Sequence, residues 1–320
     1  MLFRSHEDYS EWLINKSELG DILTELGFDK EYISQVGTGR IIGQGNLKGS
    51  ILSQIITSAV NVDSMDYLLR DNYHCGTEGR SIDVNRLLLS MDTIEGGLLG
   101  IDMSALIALE GFILSRISSF RTIYFHKTCR AVQIMLTEAM KSVVDDIGLV
   151  DYKTPGDFIK WDDYVLWAEL LNQPKSRPWI EKIKSRELLK MCYESRIEIS
   201  RKEPSPEDII DVLSKNSKIP PTEIFVDLPS SPNVPYSHFD RTRSNEIISF
   251  KRTPEGEKIP VRLEDYSMFF NQFRGHLKLV RVYTWEKYRK HLTEICQKKL
   301  GESLEFFANG NEIINSGKIK

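Results

Sequence analysis

A chain of 320 residues, 41% hydrophobic and 28% charged, has the composition of a globular protein with room for one large domain or two smaller ones. A formal net charge of -4 argues against a protein built to coat nucleic acid, although Lys and Arg cluster in 274–299. Cys75, Cys129, Cys192 and Cys296 form no CxxC pair and read as reduced thiols rather than a disulfide frame or zinc site. The polar, acidic first dozen residues do not form a secretory signal, and no apolar run reaches the roughly 18 residues of a membrane span. The expectation is a cytoplasmic protein with no membrane segment.

In chain order, residues 8–26 carry apolar positions at helical spacing (Leu13, Leu19, Ile22, Leu23, Leu26), and Gly27 offers a stop. Gly37, Gly39, Gly43, Gly45 and Gly49 follow without a GK[ST] ending, so this stretch reads as a connector rather than a phosphate loop. A helix is predicted over 51–71, with Ile51, Ile55, Val62 and Leu69 on one side. Two long helices over 98–119 and 121–147 have the apolar density of a bundle core. Amphipathic helices are predicted over 158–172 and 178–199, with Pro174 and Pro178 at the turn between them.

After Pro204 the prolines 206, 220, 221, 229, 232 and 235 break up the chain. Short β-type runs appear at Ile224–Asp227, Ile247–Lys251, Ile259–Leu263 and Leu277–Thr284, before a last helix near 285–300. The expected fold is mainly α: a helical bundle in 1–150, a helical extension in 151–200 and a small α+β C-terminal subdomain in 201–320.

The stretch Asn61–Asp71 carries the most chemistry. On a helix, Asp63, Asp66, Tyr67, Arg70 and Asp71 fall at i, i+3, i+4, i+7 and i+8, gathering three carboxylates, a phenol and a guanidinium on one side. Carboxylates suit a divalent cation, and Arg and Tyr suit phosphate or sugar oxygens. The alternative is a charged helix surface with Asp66–Arg70 as an i,i+4 ion pair, and spacing alone leaves both open.

That run resembles the segment D-x-x-D-Y-x-x-R-D of HD-domain phosphohydrolases, where the first aspartate is the last metal ligand. Asn72-Tyr73-His74-Cys75-Gly76 is similar to the continuation, and His6-Glu7 to a His-Glu pair upstream. Gly97-Leu98-Leu99 also fits. Arg116, with Tyr124-Phe125-His126-Lys127-Thr128-Cys129-Arg130, resembles the family's R…YxHKxxR helix. The resemblance covers roughly 1–145 and is to the prokaryotic, dNTP triphosphohydrolase-like branch.

It implies a partial HD-type helical bundle in 1–150 and splitting of a deoxynucleoside triphosphate into deoxynucleoside and triphosphate by metal-activated water. A divalent metal (Mn, Mg, Fe or Zn), a deoxynucleotide substrate or effector and a homo-oligomer come with it. Carried over, Asp63 would be a metal ligand and His6 would lie by the bond being cleaved. Tyr67 and Arg116 would face the phosphates, Asp71 and Tyr124 the deoxyribose, and Lys127 would also bind substrate. Ser64 stands where some relatives have a phosphate-binding Lys.

Residue spacing permits the role of the second stretch, since Arg116, Tyr124, Lys127 and Arg130 are separated by 8, 3 and 3 and share roughly one helix face. Surface solubility for Arg116 and Lys127, and packing for Tyr124, are the plainer alternatives. His126 reads as structural. His74 is either a helix-end cap or a substrate contact.

The sequence contains no His-Asp dipeptide: its six histidines precede Glu7, Cys75, Lys127, Phe239, Leu277 and Leu292. Metal catalysis of this kind lowers the pKa of bound water from about 15.7 towards about 7. One aspartate does not define such a site. Three explanations compete: a start that omits the His…His-Asp segment, a partner chain that supplies it, or its loss to leave a non-catalytic nucleotide-binding or assembly module. Retention of Asp63, Tyr67, Asp71, Arg116 and Tyr124 favours the first two.

Overall fold

The computed structural model describes residues 6–41, 47–77, 82–196, 205–232, 247–272 and 276–308. They are mostly helical, as expected. The chain divides into two units, each assembled from separate segments: 1–122, 151–162 and 232–275 in the first, and 123–150, 163–231 and 276–320 in the second.

Polar caps make the helices of the first unit shorter than their apolar spacing suggests. Ser17 donates to Leu13 O and accepts from the Leu19 N–H, so 8–26 is two helices, His6–Lys16 and Glu18–Glu25. Gly27, at φ +81, follows the second. The predicted 51–71 helix is likewise two, Leu47–Thr57 and Val62–Cys75. Asn61 separates them, accepting from the Ser64 N–H at 2.6 Å and donating to Ser58 O at 2.6 Å. Gly43 and Gly45 lie outside the described residues. Gly39 is required where it stands: at φ +71, a Cβ would lie 2.5 Å from Thr57 Oγ1.

The helix predicted from residue 98 begins only at Met103. Leu98–Asp102 is instead a strand, paired antiparallel with Met91–Ile94 in the register Met91↔Ile101. Gly96 and Gly97, at φ +82 and +72, turn the hairpin, and the apolar density of Leu98-Leu99 had masked that signal. Ser249–Arg252 joins it in parallel, Ile101 against Ser249, and Lys258–Val261 closes the sheet. Past the sheet, helices Val84–Ser90 and Leu106–Ser119 bury Leu87, Leu109, Phe112 and Ile113 together with Leu68 of Val62–Cys75. The 22-residue helical stretch Met103–Tyr124 is apolar and long enough to cross a bilayer by composition, which the sequence reading missed. Its Leu109, Phe112 and Ile113 lie in the first unit's core, at 0–1% exposure, whereas Ile107 is 79% exposed.

Charge ties the sheet together. Arg252 reaches Asp92 at 2.7 Å and Asp102 at 3.1 Å, and Lys258 reaches Asp92 at 2.7 Å. Hydrogen bonds from Lys258, then Arg252, hold the Asp92 carboxyl down at about 2. Because its folded pKa lies below its unfolded value of 3.8, Asp92 contributes stability that is present above pH 3.8 and lost as pH falls towards 2. The urea midpoint is expected to drop between pH 5 and 2.5 by more in the wild type than in Asp92→Asn. Equal drops would show that the pair is screened by solvent.

In the second unit, His276–Thr284 is the central strand between Lys190–Arg196 and Phe225–Asp227, antiparallel to both. The helix predicted over 178–199 stops at Lys184, and Lys190–Arg196 is a strand because long-range pairing overrides a locally ambiguous pattern. The strands predicted after Pro204 at 224–227, 247–251, 259–263 and 277–284 form within two residues of their expected bounds. Helix Pro206–Ser217, capped by Ser205, was not predicted. With helix Glu286–Ala308 it covers one face of this sheet, burying Ile209, Leu213, Leu292 and Cys296 on Val280 and Val282. Helices Lys127–Lys141, Asp163–Asn172 and Arg177–Lys184 enclose Met135, Ala139, Leu170 and Ile180.

Candidate functional site

The acidic helix Val62–Cys75 turns Met65 and Leu68 into the first unit's core, with Tyr67 packed partly against it. Asn72, buried on the same side, donates to Leu68 O at 2.6 Å and to Ser119 Oγ at 2.9 Å, locking the helix to Leu106–Ser119. Sequence reasoning missed that lock. Its signal was a short amide inside an otherwise apolar face.

Tyr67 and Arg116, 49 residues apart, come together. The Arg116 side chain, half-buried, hydrogen-bonds Tyr67 and lies over the Phe120 ring at 4.6 Å. Burial pulls the guanidinium below its ordinary value while the Tyr67 contact opposes that shift. A cation held this way is desolvated in advance and presents planar donors suited to phosphate oxygens.

The carboxylates of this helix divide. Asp66 pairs with Arg70, the i,i+4 pair that spacing allowed, and Arg70 Nε also lies 3.5 Å from Asp71. Asp71 is half-buried, whereas Asp63 is exposed on the first turn, where a negative charge suits the helix dipole. Among the described residues, no group of three or more His, Cys, Asp or Glu side chains converges as a metal site would require. Asp63 alone does not fit a divalent ion, whose geometry needs several donors. His6 is 91% exposed on its own helix, with its ring 3.0 Å from Glu7. His74, exposed, stacks edge-on with Tyr73, and the helix end is capped by Gly76 at φ +62.

Arg116, Tyr124, Lys127 and Arg130, expected on roughly one helix face, do not lie on one continuous helix. Phe120–Tyr124 is a π-helical turn, and His126 then caps a new helix by accepting from the Thr128 N–H. His126, expected to be structural, serves as the N-cap of this helix. Arg116 belongs to the first unit, and Tyr124, Lys127 and Arg130 to the second. Lys127 is exposed and Tyr124 half-buried. Arg130 turns to Asp227, with both carboxylate oxygens taken, and its Nη1 donates to Gln133. Phe125 is buried and its carbonyl accepts from Arg281. Asp227 and Arg281 lay far off in sequence and carried no local signal.

The first unit also has an open cleft of about 630 Å³ lined by Arg86, Asp102, Ser104, Lys251 and Arg252. Its guanidinium groups are engaged already: Arg86 donates to Ser104 O at 2.8 Å, and Arg252 bridges two aspartates.

Several known proteins resemble the chain. Across 92% of its length it is 22% identical to the deoxynucleoside triphosphate triphosphohydrolase SAMHD1 homolog of Dictyostelium discoideum, 58% of which is covered. A hypothetical protein from Aquifex aeolicus has the same fold at TM-score 0.69 and 24% identity, with 91% of this chain and 72% of that one aligned. A phosphohydrolase from Bacteroides thetaiotaomicron follows at TM-score 0.63 and 16% identity, with 89% and 73% aligned. The chain spans 27% to 58% of the length of the curated relatives it matches. Residues 82–255, more than half of the chain, match the family model for the HD associated region. The protein belongs to that HD-associated-region family.

Proposed function

We propose that the protein is the nucleotide-binding part of a deoxynucleoside triphosphate triphosphohydrolase. Its partly buried Arg116, held by Tyr67 and Phe120, is the observation that supports this most, because it is a cation prepared for a triphosphate. Tyr67 and Arg116 take the phosphates, and Asp71 takes the deoxyribose. On the second unit, Tyr124 and Lys127 bind the same class of substrate. Asp63 contributes one metal ligand, and His6 acts near the bond being cleaved. The remaining ligands must come from a His…His-Asp segment, supplied in another part of the protein or by a partner chain.

A second reading, a non-catalytic nucleotide-binding or assembly module, is favoured by the lack of any converging ligand group among the described residues. Under either reading, the 320-residue chain incubated with each dNTP and Mn²⁺ is expected to release no triphosphate by ion-exchange chromatography. Release by the wild type that Asp63→Ala abolishes would overturn the claim that these residues leave the metal site incomplete. A His…His-Asp segment added in trans separates the two readings, restoring release only under the first.

A further inference from the structure

We propose that Arg281 and Asp227 are positioning residues for nucleotide binding: they clamp the two ends of the Phe125–Arg130 turn and so set Tyr124 and Lys127. This rests on the reading that Tyr124 and Lys127 contact the nucleotide.

The clamp is written into the sheet of the second unit. Arg281 sits on the central strand, and its register partners on either side are Glu194 and Asp227. The Arg281 guanidinium, 6% exposed, takes Glu194 through Nε and Nη2, each 2.6 Å from Oε2. Its Nη1 is thereby left to donate to the Phe125 carbonyl. Asp227, also 6% exposed, is left to Arg130, with Nε to Oδ2 at 2.8 Å and Nη2 to Oδ1. Two guanidinium groups thus meet two carboxylates. Tyr283, fully buried beside them, adds no charge, because burial pushes its phenol up to about 12.

Packing alone does not call for this arrangement, since Phe125 and Ala131 are buried and anchor the same turn through apolar contact. Burying ion pairs seldom adds net stability over an apolar core, whereas it does fix one geometry. The two clamps fall immediately after Tyr124 and three residues after Lys127. A carbonyl held by a buried fork and a helix held by a bidentate pair fix the rotation of the segment between them. Lysine at 281 keeps the charge and loses the fork.

The test is equilibrium dialysis of the full chain with dATP, dGTP, dCTP and TTP in EDTA, which removes metal-dependent turnover. Arg281→Lys is expected to weaken the best-bound nucleotide about tenfold while the thermal midpoint stays within a few degrees. Glu194→Gln, on a more exposed partner, is expected to weaken it about threefold and serves if Arg281→Lys does not fold. In a background carrying Tyr124→Phe and Lys127→Ala, either change is expected to cost less than about twofold, because a residue acting through those two has nothing left to position.

Equal losses in both backgrounds, or no loss in either, would overturn the proposal. In those cases the nucleotide reading stands so long as Tyr124→Phe with Lys127→Ala itself weakens binding. Should the wild type bind none of the four, or the double variant bind as well as the wild type, the reading of Tyr124 and Lys127 falls and the positioning role falls with it.

Discussion

Arg130→Met is expected to destabilise the second unit by about 3 kcal/mol, at the lower end of the cost of orphaning one member of a buried ion pair. Asp227 is 6% exposed, and both its carboxylate oxygens are taken by the Arg130 fork. Without the guanidinium it is a buried charge with no counter-ion on that side. The Arg130 side chain keeps 25% of its exposure, which lets water relieve part of the penalty and sets the lower figure. Replacing both residues, Arg130→Met with Asp227→Leu, is expected to recover most of the loss, since an apolar pair of similar volume costs little. Urea unfolding at pH 7 measures both variants. A single-variant cost below about 1 kcal/mol would place the pair among solvated surface bridges.

Arg116→Met is expected to weaken binding of a deoxynucleoside triphosphate about thirtyfold, or about 2 kcal/mol, the worth of a hydrogen bond to a charged group. The guanidinium is partly desolvated before ligand arrives and is oriented by the Tyr67 hydroxyl and the Phe120 ring, so little ordering remains to be done on binding. Methionine preserves most of the stem and its contact with Phe120, and circular dichroism checks that the fold is kept. Arg116→Lys is expected to fall between the two, retaining charge without the planar fork. Unchanged affinity in Arg116→Met would make Arg116 a packing residue of the core helix.

What was legible in the sequence depended on distance along the chain. The Asp66–Arg70 pair lies within one helical turn, and spacing announced it. The strands after Pro204 were legible because short β-type runs stood between prolines. The caps at Ser17 and Asn61 are visible as Ser and Asn in mid-helix, yet unbroken apolar spacing outweighs them and predicts two helices longer than the caps allow. Gly96-Gly97 gave a hairpin signal that the Leu98-Leu99 density overrode.

The site followed the same rule. Motif resemblance reached Tyr67 and Arg116 without showing that they meet. Arg130–Asp227, 97 residues apart, and Arg281–Phe125, 156 apart, were beyond any local pattern. Nor does helical periodicity register a π-turn, so residue spacing alone puts Arg116 and Tyr124 on one continuous face.

Nucleotide binding by the chain itself decides whether Tyr67 and Arg116 serve a triphosphate. Equilibrium dialysis of the wild-type protein against each labelled dNTP, in EDTA and with inorganic triphosphate as competitor, measures it directly. At least one dNTP is expected to bind saturably and to be displaced by triphosphate. Failure of all four to bind saturably at millimolar concentration would contradict the assignment of Tyr67 and Arg116 to a triphosphate.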